Sequence, residues 1–170
     1  TEVLKDLKAC GQLRAWGVSA GSPKVASLAL TQGAEVLEIA YNVLVAADFE
    51  GLGLKDNGVG VLARSVLAHG LLAGYWSESR TFPRNDHRSE RWTSEQLRGR
   101  LRQLAAVSAI LRGDVTTPRS AALRYVLANE QVTSAILGPR NRVQLDQLVR
   151  EAGGGPTYLE PSQLSLLRAE

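Results

Sequence analysis

The segment Gly58-Val-Gly-Val-Leu-Ala-Arg-Ser-Val-Leu-Ala-His-Gly-Leu-Leu-Ala-Gly74 decides the fold of this chain. Its first half, residues 58–65, is a short apolar run of the kind that forms one buried strand. A glycine-flanked loop that carries His69 follows directly. Ligands of α/β proteins bind at the carboxyl ends of parallel strands. Arg64 and His69 are therefore candidate site residues.

Strands and helices are predicted to alternate along the rest of the chain. The other apolar runs lie at residues 13–19, 36–41 and 132–137. Helices are predicted at 2–10, 22–32, 93–111, 117–128, 141–151 and about 161–169, and the third begins with the capping box Thr93–Gln96. Residues 75–92 form an extra polar loop. This alternation predicts a single domain, residues 1–170, built on a parallel α/β sheet.

Composition excludes several classes of protein. The 170 residues are 44% hydrophobic and 22% charged, with a net charge of +3. The arginines are scattered beside acidic residues with few aromatics among them, so we expect no nucleic-acid binding. No apolar run approaches the ~18 residues of a membrane span. The single cysteine, Cys10, excludes an intramolecular disulfide and is expected to be buried. We predict no metal site and a cytoplasmic location.

Several phrases of the sequence resemble those of one enzyme family. The opening segment is similar to Ala-Tyr-Ser-Pro-Leu-Ala-Arg-Gly-Leu-Leu-Thr-Gly of the aldo-keto reductases, through Ser65, Leu67 and residues 70–74. Phe82-Pro-Arg-Asn-Asp-His-Arg-Ser89 resembles a loop of bacterial members. The other matching phrases are Gly11-Gln-Leu-Arg-Ala-Trp-Gly-Val-Ser19, Ala40-Tyr-Asn-Val-Leu44, Ala122-Leu-Arg-Tyr-Val-Leu-Ala128 and Thr133-Ser-Ala-Ile-Leu-Gly138. They follow the family's order and cover almost all of the chain.

The resemblance covers only the carboxyl half of the family's (β/α)₈ barrel. It implies an α/β half TIM-barrel, with four parallel strands and their helices. The family's catalytic Asp, Tyr, Lys and His lie on the first four strands, so no residue here corresponds to them. Half a barrel has two open strand edges, which invite pairing with another chain. We therefore expect a homodimer or higher homo-oligomer; a separately encoded amino-terminal half is the alternative.

The resemblance also implies a partly kept cofactor site. The family holds the nicotinamide amide with a Ser-Asn pair after strand five, where this chain has Ser19 and Ala20. After strand eight, Arg140 corresponds to a position that faces a ribose phosphate. Gln144 matches a residue that is common there. Ser19, Arg140 and Gln144 are therefore the candidate cofactor-binding residues.

Other positions of that site carry ionisable groups. The family's glutamine on strand six corresponds to Glu38, and the aromatic that stacks on the nicotinamide corresponds to Arg64. An arginine beside a glutamate would keep the carboxylate ionised and could orient an anionic or carbonyl ligand. Tyr41 and His69 could act as proton donors. Drift in a site that has lost its function explains the same substitutions equally well.

Three functions remain open from the sequence. The first is non-redox acid–base chemistry on a small oxygenated metabolite, such as dehydration, isomerisation or cyclisation. It needs no cofactor and uses Glu38 as base, Arg64 as clamp, and Tyr41 or His69 as acid. The second is part of an NADPH-dependent carbonyl reductase that another polypeptide completes. The third is a pseudoenzyme that binds without catalysis.

Overall fold

Four parallel strands form one sheet in this computed structural model, which describes residues 1–54 and 57–168. The strands are β1 (Gly17–Ala20), β2 (Val36–Ala40), β3 (Gly60–Arg64) and β4 (Ser134–Ala135). Each pairs with the next in chain order. This sequential order is that of a barrel wall, because a doubly wound sheet reverses its strand order near the middle.

Helices connect and flank the strands. They are α1 (Glu2–Ala9), α2 (Pro23–Thr31), α3 (Ala47–Glu50), α4 (Ser94–Ala109), α5 (Pro118–Leu127), α6 (Arg142–Ala152) and α7 (Pro161–Arg168). The predicted capping box is confirmed: Gln96 N–H donates to Thr93 Oγ1 and Thr93 N–H donates to Gln96 Oε1. Residues 75–92 contain turns only, as expected. The predicted end of the last helix at residue 169 lies outside the described residues.

The first and last strands are shorter than predicted. β1 begins at Gly17 and not at residue 13, and β4 comprises only Ser134 and Ala135. Both lie at an edge of the sheet, where a strand has one neighbour instead of two. The apolar residues beside them still pack against the core, as Trp16 and Val132 do, although they lie outside the paired strand residues. The apolar character of these residues correctly predicted that they pack against the core, but it overestimated how many of them pair with a neighbouring strand.

The loop after β3 is more ordered than the sequence suggests. A 3₁₀ helix spans Ala68–Ala73, and the backbone before and within it has positive φ at Ser65 (58°), Ala68 (45°) and His69 (60°). Non-glycine residues seldom adopt this conformation. Asn42, which is buried after β2, supports the turn because its Nδ2 donates to the Ser65 carbonyl at 2.9 Å. The sequence gives no local signal for such a turn.

The two faces of the sheet differ. Leu37, Ile39, Val61 and Ala63 point into the core, which also contains residues of α2 and α5. Their neighbours along β2 and β3 are only half-buried, which follows from the alternation of side chains along a strand. We call this second face the open face; its central residues are Ser19, Glu38, Ala40, Leu62 and Arg64.

The structure also bears on the expected burial of Cys10 and on membrane-spanning segments. Cys10 is exposed, so the prediction that it is buried was wrong. The reason is that α1, which precedes it, buries none of its residues. In the part of the chain that the structure describes, no helix has both the length and the apolar character needed to cross a membrane.

Candidate functional site

The open face brings three of the predicted residues into one hydrogen-bonded group. Glu38 Oε1 accepts from the Ser19 hydroxyl at 3.0 Å and lies 3.7 Å from Arg64 Nε. The Arg64 Nη2 group also donates to the Ala20 carbonyl at 3.2 Å, and its Nη1 to Ser65 Oγ at 3.4 Å. The register explains the contact, since Ser19 pairs with Glu38, Glu38 pairs with Leu62, and Arg64 lies two residues beyond Leu62 on β3. The group places a carboxylate and a guanidinium side by side, each about one-third exposed.

A cavity of about 630 Å³ lies at the carboxyl ends of β3 and β4. The loop after β3, the loop after β4 and the beginning of α6 form its walls. Its lining is rich in basic and aromatic side chains: His69, Tyr75, Trp76, Arg80, His87, Arg88, Arg119 and Arg140. Ser65 also lines it and contacts Arg64, so the cavity adjoins the open-face group. This position and this charge suit an anionic small molecule.

Arg140 and Gln144 both line this cavity, as the sequence predicts for a ligand site. The Arg140 backbone N–H donates to Gln144 Oε1 at 2.8 Å, and the Gln144 N–H donates to the capping Asn141 Oδ1 at 2.9 Å. These bonds fix the loop that precedes α6. The Arg140 guanidinium is exposed and has no hydrogen-bond or ion-pair partner among the described residues. It is therefore free to bind an anion.

His69 lines the same cavity and has cationic neighbours. Its ring lies 5.8 Å from the His87 ring and 6.1 Å from the Trp92 ring, between centroids. Partial burial lowers the pKa of His69 below its usual 6.5, and the positive charges of Arg91, His87, Arg64 and Arg88 lower it further. The neutral imidazole is thus favoured, and it can accept a proton when an anion enters.

Tyr41 does not join the other predicted residues. It is fully buried, and its ring stacks 5.5 Å from Tyr125 and lies 4.7 Å from Phe49. Its hydroxyl accepts a hydrogen bond from Asn129 Nδ2 at 3.0 Å. Three positions separate Tyr41 from Glu38, and an odd separation in an extended chain places two side chains on opposite faces. Tyr41 is therefore a core residue in this structure.

Two cavity residues were missed by sequence reasoning. Arg119, on α5, donates to both carboxylate oxygens of Glu151 at 2.5–2.6 Å and to the Tyr75 hydroxyl. These contacts raise the pKa of the arginine above its usual range, with the Glu151 hydrogen bonds as the main cause. An arginine in the first turn of a helix normally indicates a solvated position. The one available signal was that Tyr75 directly follows the family-like segment.

The loop of residues 75–92 forms the outer wall of the cavity. Asp86 accepts from Arg88 Nε at 2.8 Å and from Nη2 at 2.5 Å, and this pairing holds the pKa of Asp86 well below its usual range. The Arg88 guanidinium lies 4.7 Å from the Phe82 ring centroid and 5.9 Å from that of Trp76.

Within the described residues, no cluster of three or more His, Cys, Asp or Glu side chains is arranged to hold a metal.

Two solved structures of other proteins have a fold similar to that of this chain. The chain is similar in structure to a glycerol dehydrogenase from Gluconobacter oxydans, with a TM-score of 0.80 and 23% identity, over 96% of this chain and 50% of that protein. It is also similar to an aldo-keto reductase from Bacillus halodurans in its holo form, with a TM-score of 0.71 and 22% identity, over 98% of this chain and 53% of that one. The chain thus spans about half the length of these relatives.

These structural matches give the fold as half of a reductase barrel, with four parallel strands in one sheet. A search of the curated proteins gave no match. The model of the aldo/keto reductase family matches residues 1–152, which is most of the chain. The chain therefore belongs to the aldo/keto reductase family.

Proposed function

We propose that this chain is the cofactor-binding half of an aldo-keto reductase site and that it binds NADPH in the cavity between the loops after β3 and β4. The observation that carries the proposal is the free Arg140 guanidinium, which lines a basic cavity beside Gln144. A guanidinium is suited to a phosphate because its planar set of donors matches the phosphate oxygens. The family's use of a dinucleotide supports NADPH as the ligand.

The open-face group would then meet the nicotinamide end of the cofactor. Ser19 stands where the family holds the nicotinamide amide, and its hydroxyl already contacts Glu38. Arg64 replaces a stacking aromatic, and a guanidinium can itself stack on an aromatic ring. Its positive charge would favour the neutral ring of NADPH over the charged ring of NADP⁺. In this proposal the chain orients the cofactor for reduction.

Hydride transfer also requires a positioned proton donor for the carbonyl oxygen. In the family that donor lies on strands that this chain does not match, so the complete site needs four further strands. We propose that a second copy of the chain closes the barrel wall in a homodimer, which supplies four more strands but not the family's proton donor, because that copy matches the same half of the barrel. A separate polypeptide that carries the first four strands is the alternative. The cytoplasmic location stays a prediction, as does a bacterial origin, which is suggested by the resemblance of residues 82–89 to a loop of bacterial members.

Titration of the purified chain with NADPH, followed by cofactor fluorescence, tests the cofactor proposal. We expect saturable binding that Arg140→Ala weakens by about tenfold or more, because a hydrogen bond to a charged group contributes roughly 1.5–3 kcal/mol. Arg142→Ala is the matched control, since Arg142 is exposed, lies two residues away and does not line the cavity. No binding, or equal loss in both variants, would contradict the proposal.

A second candidate function is non-redox acid–base chemistry on a small oxygenated metabolite. The specific observation in its favour is the contact between Glu38 and Arg64, which places a carboxylate beside a guanidinium on the open face. His69 lines the adjoining cavity, but its lowered pKa suits a proton acceptor better than a proton donor, and Tyr41 is buried away from this group. Under this candidate, Glu38→Gln and Arg64→Ala would each abolish a turnover that proceeds without NADPH.

A further inference from the structure

A surface tyrosine at the cavity is held in a fixed position. Tyr75 lines the cavity although its side chain is 70% exposed. The Arg119 Nη1 group donates a hydrogen bond to the Tyr75 hydroxyl oxygen, and the guanidinium carbon lies 5.6 Å from the centre of the tyrosine ring. An exposed tyrosine would ordinarily move freely. Two contacts with one buried cation restrict this one.

The backbone before Tyr75 makes these contacts possible. Gly74 has φ +83°, and a Cβ added there would lie 3.1 Å from Pro118 Cγ. The loop therefore approaches the start of α5 so closely that a side chain at this position would need Pro118 to shift, and the positive φ itself favours glycine. This approach brings Tyr75 next to Arg119, the residue that follows Pro118.

The Arg119 guanidinium is itself held in place by its hydrogen bonds to Glu151. Its side chain is 9% exposed, and its Nε and Nη2 donate to the two carboxylate oxygens of Glu151. The Thr117 hydroxyl donates to the same carboxylate at 3.1 Å. With two nitrogens engaged by Glu151, the third points to Tyr75. The direction of the guanidinium is thus set by α6.

This arrangement determines the hydrogen-bonding role of the Tyr75 hydroxyl. A guanidinium only donates, so the Tyr75 oxygen accepts from Arg119 and its own proton is left to donate elsewhere. None of the described residues accepts that proton. The cavity that Tyr75 lines is basic, with Arg80, Arg88 and Arg140 on its walls. The acceptor that suits this position is an anionic oxygen of a bound molecule.

We propose that Tyr75 is a ligand-binding residue whose hydroxyl donates a hydrogen bond to a phosphate oxygen of the molecule in the cavity. Arg119 is the positioning residue that orients this hydroxyl. The inference rests on the proposed function only in taking the ligand to carry phosphate. It adds a donor from the segment after β3 to the same cavity that Arg140 lines from the loop after β4.

The test measures binding of two probes, NADPH and inorganic pyrophosphate, by isothermal titration calorimetry. Tyr75→Phe removes the hydroxyl and keeps the ring over Arg119. We expect it to weaken binding of at least one probe by about tenfold, the effect of a lost hydrogen bond to a charged group. Tyr158→Phe, outside the cavity lining, is the matched control and should bind as the unaltered chain does. Circular dichroism melting checks that both variants are folded.

The outcomes separate this inference from the proposed function. Pyrophosphate binding that depends on Tyr75, without any NADPH binding, contradicts the proposed function and supports the inference. NADPH binding that depends on Arg140, together with changes of less than roughly threefold for both probes in Tyr75→Phe, overturns the inference alone. Equal losses in the two tyrosine variants overturn it as well. So does failure of the unaltered chain to bind either probe.

Discussion

The open face carries two charged residues, Glu38 and Arg64, which would lie against the cofactor in the proposed function. Glu38→Gln places an amide where the family has glutamine and removes a negative charge near an anionic ligand. We expect NADPH binding to become a few-fold tighter and the free energy of unfolding to change by less than about 1 kcal/mol, since the pair is partly exposed. Fluorescence titration and urea denaturation measure the two quantities.

The control for this change is Glu50→Gln, an exposed carboxylate on α3. It should leave NADPH affinity unaltered. If Glu38→Gln weakens NADPH binding, the cofactor does not lie against the open face as proposed. If it instead abolishes a turnover that needs no NADPH, the acid–base candidate replaces the cofactor proposal.

His69 provides a pH-dependent prediction. Its pKa in the folded chain lies below 6.5, because burial and the neighbouring arginines disfavour the charged ring. Below pH 6.5 the His69 ring is therefore protonated to a greater extent in the unfolded chain than in the folded chain. The stability linked to His69 is complete above that pH and decreases as the pH falls towards the folded pKa. NMR titration of the His69 ring should give a midpoint below 6.5 that Arg91→Gln raises; a midpoint at or above 6.5 would contradict this.

At the scale of single residues, sequence reasoning worked where strand register decides contacts. Glu38 and Arg64 were predicted to meet on neighbouring strands, and they do. Tyr41 was grouped with them although its odd separation from Glu38 already implied the opposite face. The roles of Arg119 and Tyr75 could not be predicted, because they depend on the approach of Gly74 to Pro118, two residues far apart in the chain.

Among the structural elements, α5 and α6 are joined by a buried ion pair. The side chains of Arg119 and Glu151 are only 9% and 16% exposed. Glu151→Ala would leave a guanidinium buried without its partner, which typically costs about 3–5 kcal/mol. We expect a loss of that order in the free energy of unfolding, measured with urea. The exposed pair of Arg142 and Asp146 offers the control Asp146→Ala, which should cost less than about 1 kcal/mol. Similar losses of unfolding free energy in both variants would contradict the interpretation that the buried Arg119–Glu151 pair contributes more to stability than an exposed pair.

Element starts were easier to predict than element lengths. The side chains of Ser22, Thr93, Thr117 and Asn141 each accept a hydrogen bond from the backbone of their helix, as capping residues do. The two edge strands were predicted too long, because apolar residues continue to pack after the ladder ends. The 3₁₀ helix was missed because Ser65, Ala68 and His69 adopt positive φ although they are not glycines.

For the whole molecule, the central question is what closes the half-barrel. Exposed apolar residues lie near both open edges: Val3, Val25 and Leu28 on α1 and α2, beside β1, and Leu145 and Val149 on α6, which follows β4. A twofold axis along the barrel would place β4 of one copy beside β1 of the other and keep every strand parallel. Both junctions would then be identical.

We therefore expect a dimer in size-exclusion chromatography with light scattering. Val149→Glu should shift it towards the monomer, because a charge would enter the apolar contact between copies. Leu166→Glu is the control, since Leu166 is similarly exposed but lies on α7. A stable monomer of the unaltered chain would contradict closure by a second copy and favour a separate polypeptide with the other strands.

Hydrogen–deuterium exchange with and without NADPH tests the central claim most directly, because it reports where the ligand binds as well as whether it does. The account predicts slower exchange in residues 65–76 and 136–148, which form the cavity walls. It predicts no change in α2, which contributes nothing to the cavity lining. Unaltered exchange throughout, or protection confined to residues outside the cavity, would contradict it.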